Sequence, residues 1–318
     1  MLAYVLRRLL VAAPVLVGIL LISFILVQLM PGDPVRALMS PEEMAASPEY
    51  VARRRAELGL DDPVLVQFLA WVRELAQGHL GYSFHGRVPV AELIGERIGP
   101  TVLLALVALA IALIVGISIG VVAALRQNSW FDYLASIGSM AAVSIPAFFL
   151  GLMAIYIFSI QLGILPTGGL RSLTSDGSLG DSIRHLVLPA GVLAASLVGP
   201  YVRYTRQGML EVLRQDFMTT ARAKGVPRFG VVVGHGLRNT LIPLTTVIAL
   251  QLPGLLTGVL IIEVIFSWPG LGQLVYDSII GRDYPVIIAT VFFSAVLVMV
   301  ANLLADLLAA VLDPRIRL

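Results

Sequence analysis

The chain is 318 residues long, 58% hydrophobic and only 13% charged, with a mean hydropathy of +0.91, whereas a soluble domain carries about twice that charged fraction. Its apolar residues gather in blocks of spanning length separated by polar loops, so one membrane bundle is a simpler reading than one or two soluble domains. Cysteine is absent, which excludes disulfide frameworks, thiolate metal sites and cysteine nucleophiles; a net charge of +2, without a basic stripe and interleaved aromatics, argues against a nucleic-acid partner.

The first apolar run, Leu9 to Met30, has no charged residue, follows Arg7 and Arg8, and ends at the turn Pro31-Gly32-Asp33-Pro34. A cleavable signal would have a shorter apolar region ending at small residues, so this run is expected to be a retained helix. Residues 31–100 form a polar insert in which two helices are predicted, one from Ser47-Pro48-Glu49 to Gly59 and one from Asp62-Pro63 to Gly78. In the second, Leu65, Phe68, Leu69, Val72 and Leu75 follow the helical period and predict one apolar face.

Five further charge-free runs follow: Thr101 to Leu125, Ser139 to Gln161, His185 to Tyr201, Leu241 to Ile262, and Val286 to Leu304. With the first they predict an all-α integral membrane protein of about six spans. The fourth is the shortest, with Arg203 close behind it, and Pro146 and Pro253 are expected to kink their spans. An even number of spans puts both termini on one side. Arg7, Arg8, Arg126, Arg203, Arg206, Arg214, Arg222, Lys224, Arg228, Arg238, Arg315 and Arg317 fall there, against Arg171, Arg184 and Arg282 in the short opposite loops. The positive-inside rule makes the richer side cytoplasmic and turns the 31–100 insert outward.

Several kinds of chemistry are missing. An ATPase needs a G-x-x-x-x-G-K-[ST] loop, but the lone lysine, Lys224, sits between Ala223 and Gly225. An ion-coupled transporter places ionisable groups inside its spans; here His185 and Asp306 lie near run ends and Glu263 closes the fifth run at its outer edge. None of His79, His85, His185 and His235 forms an H-E-x-x-H pair, and no catalytic, cofactor-binding or metal-ligating residue is assigned.

The loop 203–240 is the informative place. Thr219-Thr220-Ala221-Arg222-Ala223-Lys224-Gly225-Val226-Pro227 puts glycine and proline where a helix ends and turns, so a short helix is expected to protrude and fold back. An isolated arginine cluster would merely set topology; the ordered small residues, glycine and proline favour a docking element.

Here the sequence resembles the permease subunits of binding-protein-dependent ABC importers, of the dipeptide, oligopeptide and nickel type. Thr220 to Gly225 reproduce the T-A-R-A-K-G of that branch, and Gly225 and Ala221 match the glycine and second alanine of the family motif E-A-A-x-x-x-G, whose first two positions are Thr219 and Thr220 here. Pro31-Gly32-Asp33-Pro34, Pro243, Glu263-Val264-Ile265-Phe266-Ser267-Trp268-Pro269-Gly270-Leu271-Gly272 and Asp313-Pro314-Arg315-Ile316-Arg317 match in the same order along the chain. The resemblance implies a type I importer fold, one permease domain over 1–318, in the bacterial or archaeal cytoplasmic membrane. It implies coupling to ATPase partners through Thr219, Thr220, Ala221, Arg222, Ala223, Lys224, Gly225 and Val226. It also implies a second permease, two ATPase subunits or domains holding ATP and Mg, and an extracytoplasmic binding protein, with no cofactor on this chain. Ala221 and Ala223 would keep the helix slim, Gly225 would permit the turn, and Arg222 and Lys224 would pair with acidic groups.

Gln251, Pro253, Gly254 and Trp268 are candidates for the pathway or a gate, each against a plainer alternative. Gln251 suits a helix-to-helix hydrogen bond equally, glycines such as Gly254, Gly258, Gly116 and Gly120 suit close helix packing, and Trp268 suits an interfacial anchor. Two rival readings are a secondary transporter or channel working alone, which needs an ion site or pore that the spans do not reveal, and a membrane scaffold.

Overall fold

The computed structural model describes residues 2–29, 52–53, 55–56, 61–172 and 178–312. The expected turn at Pro31-Gly32-Asp33-Pro34, the terminal Asp313-Pro314-Arg315-Ile316-Arg317 and most of the expected helix from Ser47 to Gly59 lie outside these residues; of that helix, 52–53 and 55–56 are described and are helical. Among the described residues the chain is helical, relieved by one isolated bridge between Tyr82 and Pro89. The helices are α1 (Leu2–Gln28), α2 (Val64–Ala76), α3 (Val90–Leu125), α4 (Trp130–Ser144), α5 (Ala147–Ala154), α6 (Leu179–Leu213), α7 (Asp216–Ala223), α8 (Arg238–Ile265), α9 (Leu271–Gly281) and α10 (Tyr284–Leu312). Wider π-helical turns at Ile155–Gln161 and Gly230–Leu237 follow α5 and precede α8.

Three helices are long and apolar enough to cross a membrane: Val90–Leu125, Leu179–Leu213 and Tyr284–Leu304. Two more qualify only as bent pairs, Trp130–Ser144 with Ala147–Gln161 at 101° and Pro243–Leu252 with Gly254–Ile265 at 45°. In the described part of α1 the apolar stretch is Leu10–Leu26. The kink expected at Pro146 is therefore a full break. Pro146 caps α5 in extended conformation, as a proline that cannot continue the preceding hydrogen-bond ladder does, so the predicted third run is two segments and not one straight helix.

Two predicted boundaries need correction. α3 starts at Val90 and carries Pro100 inside it, where the run was expected to begin after that proline. The bond that the ring displaces is the one to the carbonyl of Glu96, an exposed residue, where the loss is smallest. α6 does not stop at Tyr201 but continues to Leu213, so the first third of the 203–240 segment is helix. Arg203, Tyr204, Arg206 and Gln207 are not helix breakers, and the turn comes only at Arg214 and Gln215.

The chain divides into two compact units. One comprises 2–99 and 270–297. In it Leu20 and Phe24 of α1, Phe68 of α2, and Tyr284, Ile287 and Ile288 of α10 form a core flanked by Trp71, Val72, Leu75 and Phe84. Phe68 meets Phe24 edge to face with ring centroids 5.7 Å apart, and Gln67 accepts a bond from Gln28 at 2.8 Å. The predicted helix from Pro63 to Gly78 is present, and Gly78 takes φ +83° after it. Its apolar face is only partly used, since Leu65 and Leu69 remain exposed.

The other unit comprises 100–269 and the chain from Val298 onward. Here α4, α5 and α8 pack against α6. Close approach rests on glycines: a Cβ on Gly116 would lie 2.6 Å from Tyr201 Cβ, and one on Gly120 would lie 2.8 Å from the Val202 carbonyl. The small-x-x-x-small pair of α3 is thus seated on the backbone of α6, the packing reading of those glycines. Gly258 is likewise 3.1 Å, in the same measure, from Leu193, whereas Gly254 meets nothing within 4 Å.

Candidate functional site

α6 leads directly into the motif. After the turn at Arg214-Gln215 comes α7, and its end is fixed by three backbone bonds: Lys224 N to Thr220 O at 3.0 Å, Gly225 N to Arg222 O at 3.0 Å, and Val226 N to Ala221 O at 3.2 Å. With Gly225 at φ +77°, the last two are the paired bonds of a Schellman ending, in which a left-handed residue satisfies the carbonyls of the final turn. The hydrophobic contact that accompanies this motif is present too, because Val226 packs on the cluster of Met218, Ala221 and Val231, with Val212 and Leu213 alongside. A short helix of eight residues is marginal alone; this one packs on a small core of its own, so 212–231 forms a knob.

The eight candidate coupling residues separate into two sets. Thr219, Thr220, Arg222, Ala223, Lys224 and Gly225 are exposed, whereas Ala221 is buried and Val226 half-buried. Smallness at Ala221 serves the packing of α7 on Val231 inside the chain, which corrects its expected part in slimming an outward face. Ala223 does lie outward. A Cβ at Gly225 would meet nothing within 4 Å, so only the backbone conformation demands glycine within this chain.

The pathway candidates differ in burial. Gln251 is half-buried and Gly254 exposed, and the side chain of Pro253 lies outside the described residues. Trp268 is fully buried, and its indole Nε1–H donates to the Pro100 carbonyl at 3.0 Å. The ring is enclosed by protein, and Trp268 fastens a turn. That turn is heavily secured. Trp268 N donates to Glu263 O at 2.8 Å, Gly169 N donates to Phe266 O at 2.8 Å, and Ser267 is left-handed at φ +46°. Glu263, expected at an outer edge, is also fully buried and accepts from Thr101 Oγ1 at 2.6 Å. His185 is also buried, 5% exposed with Nδ1 2.9 Å from the Asp181 carbonyl.

Two polar constellations escaped the sequence reading. Asp132, 3% exposed at the start of α4, receives both Nε and Nη2 of Arg206. Asp283, also 3% exposed, accepts from Ser83 Oγ and from Phe84 N, the latter at 3.1 Å, while His85 Nε2 is 2.7 Å from the Gly281 carbonyl. The only local signal was Ser129-x-x-Asp132, a helix-start pattern; the partners are distant in sequence. Among the described residues no group of three or more His, Cys, Asp or Glu could hold a metal ion.

The knob, the glycine-seated spans and the all-helical frame can be set beside known proteins. Residues 116–318 match the binding-protein-dependent transport system inner membrane component family, and residues 1–105 match the N-terminal family of the same transport system's membrane component. The chain is 44% identical to the oligopeptide transport system permease protein AppB of Bacillus subtilis, over 99% of each chain. It is 43% identical to a putative peptide permease protein of Brucella suis, over 100% of this chain and 99% of the relative. With the glutathione transport system permease protein GsiC of Salmonella paratyphi A it shares 41%, again over 100% of this chain and 99% of the relative. Among solved structures, the inward-facing MetNI methionine ABC transporter superposes with a TM-score of 0.57 at 18% identity, covering 71% of this chain and 98% of that one, a likeness of fold. The chain belongs to the binding-protein-dependent transport system inner membrane component family, and is a permease of an ABC importer.

Proposed function

We propose that this permease carries peptides, or a related small solute, inward across a cytoplasmic membrane through six spans, α1, α3, the α4–α5 pair, α6, the α8 pair and α10. Both termini and the 203–240 segment then lie in the cytoplasm, and the 31–100 insert faces outward. The observation that carries the reading is the knob: a helix with a small core of its own at the end of the membrane helix α6, on which Thr219, Thr220, Arg222, Ala223, Lys224 and Gly225 are exposed. Two cytoplasmic ATPase subunits or domains, which hold ATP and Mg, receive that face; a second permease completes the pathway; an extracytoplasmic binding protein delivers the solute. The peptide class is supported by the descriptions of the relatives, oligopeptide for AppB and glutathione for GsiC.

ATP-driven closure of the ATPase pair displaces α7, and the spans rock between outward-open and inward-open states. The chain supplies path and transmission, and the partners supply the hydrolysis. Reconstitution with the neighbouring permease, ATPases and binding protein tests this: uptake of a labelled peptide should require ATP and every component. Uptake by this chain alone, independent of ATP, would reject it.

A further inference from the structure

The partnered carboxylate of Asp132 is not explained by any part of the reading so far. It stands at the first turn of α4, where Ser129 Oγ accepts from Asp132 N at 3.3 Å and Asp132 Oδ2 accepts from Asn128 N at 3.0 Å. Arg206 approaches it with both edges of the guanidinium fork, Nε to Oδ1 and Nη2 to Oδ2, the latter at 2.7 Å. The two side chains are 4% and 28% exposed. Such a pair fixes orientation as well as distance, because the planar fork matches both carboxylate oxygens at once.

A second contact lies farther along the same two helices. A Cβ on Gly199 would collide with the Ser139 carbonyl and come within 2.8 Å of Val143 Cγ2. From Gly199 to Arg206 and from Ser139 back to Asp132 are equal steps in opposite directions, about 10 Å on each helix. α4 and α6 are therefore antiparallel, and within their packed contact two places set the register: backbone on glycine at one, an ion pair at the other. Beyond Arg206, α6 runs unbroken to Leu213 and the knob. Beyond Ser139, α4 runs to the 101° break at Pro146.

We infer that the Asp132–Arg206 pair is the joint through which displacement of α7 reaches the broken α4–α5 segment. Packing between α6 and α4 opposes their separation but leaves them able to slide and turn on one another; the fork fixes distance and orientation at Arg206, so α6 and α4 move as one body and the hinge falls at Pro146. Asp132 and Arg206 are positioning residues and touch neither solute nor ATP. This inference rests on the coupling role given to α7 above.

The test uses the complete transporter in proteoliposomes, with hydrolysis and peptide uptake measured together. ATP-dependent uptake by the unaltered complex tests the coupling role itself. Asp132→Asn and Arg206→Lys test the joint: each should leave the ATPases bound and hydrolysing while solute imported per ATP falls about two- to thirty-fold, the range in which residues on a coupling route act. The exchange Asp132→Arg with Arg206→Asp should recover part of the loss. An unchanged ratio in Arg206→Lys, or a proportional fall in hydrolysis and uptake, would overturn the joint. Spin labels at Trp130→Cys and Glu211→Cys, both exposed, leave the pair intact and read its rigidity. Their separation should be the same in nucleotide-free and ATP-trapped complexes, and a change between those states would equally overturn it.

Discussion

Replacing Gly225 separates what the chain needs from what its partner needs. In Gly225→Ala the new methyl enters open space, with nothing within 4 Å, so the whole penalty is that of an L-residue held at φ +77°, about 1–2 kcal/mol. That cost falls on the last turn of α7, where the bonds from Gly225 and Val226 would loosen, and leaves the membrane helices untouched. Gly225→Arg carries the same backbone penalty plus a long charged side chain that projects away from the chain, where only a docked protein would meet it. The Ala variant should therefore keep ATPase association, weakened up to about thirtyfold if the full penalty falls on docking, while the Arg variant loses association or hydrolyses ATP without import. Co-purification of the ATPase subunits and uptake per ATP in proteoliposomes read both. Equal defects in the two variants would refute the argument, because they would place the requirement for glycine inside this chain's fold.

Three further outcomes follow from the packing. Gly120→Ala should force α3 off α6, since its Cβ would sit 2.8 Å from the Val202 carbonyl; overpacking of this kind costs about 1–3 kcal/mol, read as a lowered midpoint of thermal unfolding in detergent, with Gly254→Ala as the silent control. Trp268→Phe keeps much of the buried ring but orphans the Pro100 carbonyl of its indole donor, a loss of about 1–3 kcal/mol, and Trp268→Ala should cost more, about 3–5 kcal/mol, in the same assay. Asp283→Ala removes the acceptor for Ser83 Oγ and Phe84 N; the 79–89 segment should then be nicked faster by added protease, with α2 still folded.

Much of this was legible because it is periodic or local. The charge-free runs predict the three long apolar helices and the two bent pairs, the Gly-Pro punctuation predicts the end of α7, and Asp62-Pro63 with Gly78 predicts α2. The errors came where a residue's usual local meaning was overridden. Pro100 reads as a boundary, yet the helix passes through it at an exposed turn; Arg203 reads as the end of a span, yet α6 continues because nothing there breaks a helix. No local pattern records that tertiary packing encloses Trp268 and Glu263, or that Pro100 and Thr101 are their partners. The Asp132–Arg206 and Asp283–Ser83 pairs were invisible for the same reason: sequence spacing carries no signal for side chains that meet across the fold. Among the coupling residues, the motif gave the segment, but only coordinates separate the inward Ala221 from the outward Ala223.

The central claim is that the exposed face of α7 is covered by an ATPase. The sequence has no cysteine, so Thr220→Cys or Lys224→Cys gives this chain a single thiol on that face. In membranes holding the assembled transporter, a short thiol-directed crosslinker should join either variant to an ATPase subunit, and in a manner that changes with bound nucleotide. Crosslinks that never include an ATPase subunit, with the thiols open to aqueous reagents in the assembled complex, would contradict it.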